Sequence, residues 1–226
     1  MRILAFDCAT AHLSIAVVID GAVAARHDEA AARGHGERLL PLIAVTLEQA
    51  GLAFAQLDRI AVTVGPGHFT GLRVGLAAAR GFRAASGLPV IGITTLEALA
   101  NGVPAEARAG RRVLASVDSK RAEPYFQLFD SQLRELGPPL AATPEAFAAG
   151  LAHGEPLVVA GDQAVVPALR ARGHQPTVAA IAHPDAAVVA ALAAGRAEGA
   201  PLSPFYLHPA AVRPAPGAVE AGGLAP

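Results

Sequence analysis

The tightest constraint on this chain is the turn Asp20-Gly21, set between the β-rich run 13–19 and the run 22–28, with a third apolar run at 2–7 just before them. Asp-Gly flanked by alternating β-branched residues is the strongest short-range hairpin signal a sequence can carry. The first 28 residues therefore read as a three-strand antiparallel meander. The pattern then changes. Leu39, Leu40, Ile43 and Leu47 share one face of a helix over 36–50 that stops at Gly51, with Pro41 placed to bend it near its start. A strand at 60–64 leads through Gly65-Pro66-Gly67 into a helix over 70–85 that ends at Gly87. Another strand, 89–93, precedes a helix over 96–100 that opens with a capping box, Thr94 and Glu97. The order βββαβαβα requires a mixed sheet with helices packed on it.

The stretch 101–112, with Gly102, Pro104 and Gly110, reads as a boundary. Beyond it come strands at 113–117, 123–129 and 157–160, a helix starting at Thr143-Pro144-Glu145, and helices over 164–172 and 185–196. Leu4-Ala5-Phe6-Asp7 and Leu114-Ala115-Ser116-Val117-Asp118 echo each other: in each half a strand runs into an aspartate and a second strand follows within about ten residues. The expectation is an α/β chain of two similar halves, 1–103 and 111–200, facing each other across a cleft. A C-terminal segment, 201–226, follows, rich in Pro, Ala and Gly and mobile from about 213.

Composition narrows the function. Eighteen Lys plus Arg against 19 Asp plus Glu leave a net charge of −1, which argues against RNA binding through a basic surface of the chain's own. No uncharged stretch is long enough to span a membrane. The start shows no secretory signal pattern and the single cysteine, Cys8, can form no internal disulfide, so a cytoplasmic protein is expected.

A strand ending in aspartate beside a small-residue turn, Asp7-Cys8-Ala9-Thr10, is where actin-like and sugar-kinase-like ATPases hold magnesium and phosphate, although Ala9 stands where those folds use glycine. The same residues also suit a simple turn cap. Asp118-Ser119-Lys120-Arg121 is a charged turn that solvent or a phosphate would suit. The block Gly65-Pro66-Gly67-His68-Phe69-Thr70-Gly71-Leu72-Arg73-Val74-Gly75 matches neither phosphate-loop pattern. It has no lysine, Lys120 being the only one in the chain, and Gly71 comes one residue too late for a dinucleotide fingerprint. Gly71, Gly75 and Ala79, with Ala78 beside them, form a small-residue stripe open to packing within the domain or against another subunit. None of the eight histidines lies three to five residues from another, which excludes a helical zinc pair, and nothing suggests a serine or cysteine nucleophile.

The runs Ile3 to Thr10, His35 to Pro41, Gly65 to Gly75, Gly92 to Ala100 and Pro204-Phe205-Tyr206-Leu207 together resemble the TsaB (YeaZ) family, in order over 3–130 and again at 204–207. The resemblance implies an actin-like (ASKHA, ribonuclease H-like) two-domain fold that has lost its own nucleotide chemistry, leaving Asp7, Thr10 and Asp118 as a vestigial nucleotide site. It implies a non-catalytic scaffold with no cofactor or metal of its own, within the complex that forms N6-threonylcarbamoyladenosine at position 37 of tRNAs reading ANN codons. ATP and metal are expected on partner subunits: the catalytic paralogue TsaD, which would form a heterodimer with this chain, and the ATPase TsaE. A homodimer is expected when TsaD is absent, with tRNA reached only through the complex. The helices 36–50 and 70–85 would form the partner interface through Leu39, Leu40, Ile43, Leu47, Gly71, Arg73, Gly75, Ala78 and Ala79. The residues alone leave a second reading, an ATP-dependent phosphotransferase using Asp7, Thr10 and Asp118.

Overall fold

A computed structural model describes residues 1–31, 34–152, 154–198 and 202–207. The N-terminal meander is present as β1 (Arg2–Asp7), β2 (His12–Ile19) and β3 (Ala22–Ala30), turning at Asp20-Gly21. It extends through β4 (Arg59–Gly65) and β5 (Val90–Thr94) into one sheet of order β3-β2-β1-β4-β5. β1 and β2 pair antiparallel with Asp7 opposite Ser14, whereas β1, β4 and β5 run parallel. Helices α1 (His35–Gln49) and α2 (Phe69–Ser86) cover one face. The period-2 alternation of β1 divides the core accordingly: Leu4 and Phe6 meet Leu39, Ile43, Leu47 and Leu76, and Ile3 and Ala5 face the other way.

The second half repeats this plan. β6 (Arg112–Val117), β7 (Tyr125–Phe129), β8 (Leu140–Ala141), β9 (Leu157–Gly161) and β10 (Thr177–Val178) form a sheet of order β10-β9-β6-β7-β8, the same order strand for strand. α3 (Thr95–Asn101) lies between the sheets, burying Leu96, Leu99 and Ala100 against Val113, Ala115 and Val158. A one-turn helix, α4 (Ala105–Arg108), sits inside the expected boundary. α5 (Pro144–Ala149) and α6 (Val166–Ala171), six residues each, close the far face of the second sheet.

The last helix departs from the expected division into 1–103 and 111–200. α7 (Ala186–Ala194) packs on the first sheet, with Ala186, Val189, Ala190 and Ala193 against Ile3, Ala16, Ala61 and Ile93. Its sequence is apolar on every side, so no stripe specifies which sheet it meets. Its ends decide: Ala186 N donates to Ser14 Oγ at 2.9 Å, and the Arg59 guanidinium donates to the carbonyls of Ala193 and Arg196 at the helix C-terminus. Residues 202–207 also return to the first half, where Phe205 N donates to Val64 O at 2.7 Å. The mobile tail expected from 213 lies outside the described residues. Among the described residues no helix is long and apolar enough to cross a membrane.

Candidate functional site

The glycine block explains itself by close packing. His68 N donates to Ala9 O at 2.7 Å, and a Cβ at Gly67 would collide with that carbonyl. A Cβ at Gly71 would collide with Cys8 O, so the start of α2 presses directly on the turn that follows β1. Farther along, the Cβ position of Gly75 lies 3.6 Å from Cys8 Sγ and Val62 Cγ2, and Ala79 is wholly buried in the first core. The stripe Gly71, Gly75 and Ala79 therefore packs within its own domain, and the expectation that it meets another subunit is corrected. Ile43 and Leu47 are corrected likewise, because that face of α1 is needed to cover Leu13, Ile15 and Val17.

The outward surface of the two helices is different and was partly anticipated. Leu40 is 52% exposed, Val45 44% and Phe69 41%. Between α1 and α2 an apolar groove of about 440 Å³ is lined on the α1 side by Gly36, Leu39 and Leu40 and on the α2 side by Val74, Ala77, Ala78, Gly81 and Phe82. Of the residues expected at an interface, Leu39, Leu40 and Ala78 line this groove, Leu39 while itself only 1% exposed, and Arg73 is not among its lining residues. Arg73 lies 3.8 Å over the Phe69 ring, whose stacking partner is Tyr206 at 5.6 Å. With Arg80 donating to Leu202 O, segment 202–207 closes that flank of α2 and leaves the groove toward α1 as the open one. Val74, Ala77, Gly81 and Phe82 line it without being among the expected interface residues. Their signal is a second stripe on α2, at 74, 77, 78 and 81, offset from the first.

The three residues of the expected nucleotide site are not brought together. Thr10 and Asp118 line the cleft between the halves, but Asp7 is fully buried beneath the turn, its Oδ1 accepting from Ala9 N at 3.0 Å and Thr63 Oγ1 at 2.5 Å. Burial pushes the Asp7 carboxyl up to about 7, with the hydrogen bonds from Thr63 and Ala9 pulling the other way. Partial burial acts upward on Asp118 too, but the Lys120 ammonium and amide outweigh it and hold that carboxylate below its usual range.

Several of the amides bordering the cleft are already engaged. Ala9 N bonds to Asp7, His68 N to Ala9 O, Lys120 N to Asp118, Arg121 N to Ser119 Oγ and Ala164 N to Asp162. Phosphate sites on folds of this kind depend on free backbone N–H groups.

Residues 26–152 match the family model described as TsaD: tRNA N6-adenosine threonylcarbamoyltransferase. The tRNA threonylcarbamoyladenosine biosynthesis protein TsaB of Escherichia coli is 40% identical over 126 residues, which is 56% of this chain and about half, 54%, of that relative. An uncharacterized protein of Mycobacterium bovis is 35% identical over 70% of this chain and 71% of its own length. Among solved structures, YeaZ from Pseudomonas aeruginosa superposes with a TM-score of 0.77 at 28% identity, over 91% of this chain and 99% of that one. An activator of 2-hydroxyisocaproyl-CoA dehydratase from Clostridium difficile shares the fold alone, with a TM-score of 0.50 and 12% identity over 85% of this chain and 94% of that one. The paired mixed sheets, the glycine block seated on the β1 turn and these likenesses lead to one assignment: the chain belongs to the TsaD family, in its TsaB (YeaZ) group, with the actin-like two-domain fold.

Proposed function

We propose that this chain is a non-catalytic partner subunit in the formation of threonylcarbamoyladenosine in tRNA, docking a TsaD-type catalytic subunit through the groove between α1 and α2. The observation that carries the reading is that groove, an apolar channel between two helices on a chain 40% identical to a protein named for this pathway. Exposed apolar patches of this kind on a folded domain mark interaction sites. The engaged amides of Ala9, Lys120 and Ala164 support the non-catalytic part, because the chain's own loops take donors that a phosphate could use.

In this reading Leu40 and Phe82 are the anchors, and the small side chains of Ala77, Ala78 and Gly81 let a partner helix approach the α2 backbone. A stable interface buries about 1,200 to 2,000 Å² in total, more than the groove itself, so Val45 and Phe69 fall within its footprint. When TsaD is absent, a second copy of the chain covers the same surface. ATP, metal and TsaE are engaged on the partner side, and tRNA is reached through the complex. The test is reconstitution of tRNA modification with TsaD, TsaE and this chain. Leu40→Asp should abolish both co-elution with TsaD and product formation while leaving the circular dichroism of the chain unchanged. Full product formation without this chain would refute the reading.

A further inference from the structure

Arg73, on the second turn of α2, is exposed and yet held in one place. Its guanidinium lies 3.8 Å over the ring of Phe69, one turn earlier, and its Nε donates to Tyr206 Oη at 3.3 Å. The Tyr206 ring itself stacks on Phe69 at 5.6 Å. This seat is anchored on both sides of Tyr206: Phe205 N donates to Val64 O at 2.7 Å, and Leu207 packs against the core of the second half. Other surface guanidiniums are matched to carboxylates, Arg38 to Glu29, Arg83 to Glu198 and Arg134 to Asp130, or to carbonyls, as Arg59 and Arg80 are. Among the described residues Arg73 forms no ion pair, and the two terminal nitrogens of its fork donate to no oxygen. A planar fork with free donors, its side-chain freedom already given up to two aromatic rings, is prepared for a planar anion.

The surroundings select the anion. Phe69 is 41% exposed, and the depression it lines with Glu37, Thr70 and Lys120 shares Gly36 and Val74 with the groove between α1 and α2. Leu40, Val74 and Phe69 therefore lie along one apolar strip, with Arg73 over its last ring. α2 carries Arg73, Arg80 and Arg83 and no acidic residue, and the positive end of its dipole lies in its first turn, so the field there favours a negative partner. A nucleic acid needs more than this, because holding a phosphate backbone takes several free cations together. Here Lys120 is paired with Asp118, Arg80 and Arg83 are engaged, and Glu37 borders the strip. One free fork at the end of an apolar strip matches a protein that lays down an apolar segment flanked by a carboxylate, and arginine and aromatic residues are the usual anchors of such contacts.

We infer that Arg73 receives a carboxylate of the partner protein, an Asp or Glu flanking the apolar segment that fills the groove, and so fixes the direction in which that segment lies. The inference rests on the partner-subunit reading and deepens it, and the two fail in different ways. TsaD is titrated by calorimetry against the wild-type chain, Arg73→Met, Arg73→Lys and Leu40→Asp at about 50 mM and about 500 mM salt, a span over which exposed charge pairs are progressively screened. Arg73→Met keeps an aliphatic stem on Phe69 and removes the charge. It should weaken TsaD binding roughly tenfold or more at the lower salt, the loss of a charge-assisted pair, and flatten the salt dependence. Arg73→Lys keeps the charge without the fork and should fall between. Tyr206→Phe removes only the hydroxyl that steers Nε. It should weaken binding about threefold in the wild-type background and not at all in Arg73→Met, a coupling that a merely structural role for Tyr206 does not produce. Circular dichroism checks that each variant is folded, and Arg73→Lys carries the test if Arg73→Met is not. A folded Arg73 variant with undiminished affinity and unchanged salt dependence overturns the inference, while loss of binding by Leu40→Asp keeps the reading beneath it; full binding by Leu40→Asp as well overturns both. Weakened tRNA binding by Arg73→Met with TsaD affinity intact assigns the fork to an RNA phosphate and overturns the inference equally.

Discussion

The two halves share a strand order but treat the end of their central strands in opposite ways. In the first, β1 ends at Asp7, which is buried and hydrogen-bonded by Thr63 and Ala9, while β4 ends at Gly65 and continues into an 18-residue helix pressed onto the same turn. In the second, β6 ends beside Asp118, which remains solvent-accessible and ion-paired to Lys120, while β9 ends at Gly161 and continues into a helix of only six residues. Gly65 and Gly161 both sit at positive φ, so the backbone device is common to the halves and the packing around it is not. A strand-end aspartate thus has no fixed role in such a scaffold. Where a long helix presses on its turn it becomes part of the core, and where the turn stays open it remains a surface charge. The long pair α1 and α2 gives the first half a surface large enough to dock another protein, which the short α5 and α6 cannot offer.

The largest expected effects break the feature the halves share. Gly161→Ala would set a Cβ against the Ser116 carbonyl at a φ of +91°, and Gly65→Ala would set one against the Phe205 carbonyl at a φ of +113°. Each should cost about 3 kcal/mol or more, read as a fall in the urea midpoint. Gly75→Leu belongs with them, because Cys8 and Val62 already stand at contact distance from its Cβ position and the added carbons have no room. A Gly75→Leu chain of native stability would restore the outward-facing stripe that the packing now excludes.

Asp7 and Asp118 should differ next. The folded pKa of Asp7, about 7, lies above its unfolded value of 3.8, so the folded chain binds the extra proton and stability falls as pH rises between those values, by at most about 4 kcal/mol. Asp7→Asn should remove that slope and raise stability at pH 8 relative to pH 4. Asp118, depressed and exposed on a turn, has the opposite sign and a far smaller effect, so Asp118→Asn should leave the profile nearly unchanged. Urea unfolding at a series of pH values decides this; equal profiles for the two variants would erase the contrast between the halves. The return of α7 to the first half is a smaller effect still. Ser14→Ala removes the acceptor for Ala186 N and should cost about 1 kcal/mol, read as lower exchange protection over 186–194 with the second sheet unaffected.

Much of this was legible in the chain. The Asp20-Gly21 hairpin, the crossover order and the echo between the halves each rest on local chemistry that tertiary context did not override, and of the capping box only the bond from Glu97 N to the Thr94 hydroxyl forms, the Glu97 carboxylate being paired with Arg196 instead. The short strands β8 and β10, two residues each, carry no periodicity to read. The helix faces depart from expectation for a definite reason. α2 carries two adjacent stripes of small and apolar residues, 71, 75, 79 and 74, 77, 78, 81, and spacing alone does not say which one meets the sheet. What decides is Cys8 O, contributed by a turn more than 60 residues away, against which only glycine fits. The same holds for the seat of Arg73: Phe69 is within reach along the helix, but Tyr206 comes from the far end of the chain.

On the proposal made above, the chain docks through the open groove of α1 and α2 and not through the stripe beneath it. Titration of TsaD against wild type, Leu40→Asp and Val23→Asp tests it most directly, because Leu40 lines the groove and Val23, 49% exposed, lies on β3 away from it. The account predicts a loss of affinity of about a hundredfold or more for Leu40→Asp, as for a charge placed at the centre of an interface, and no change for Val23→Asp, with both variants as stable as wild type within about 0.5 kcal/mol. Undiminished affinity of a folded Leu40→Asp chain, or an equal loss in both variants, would contradict it.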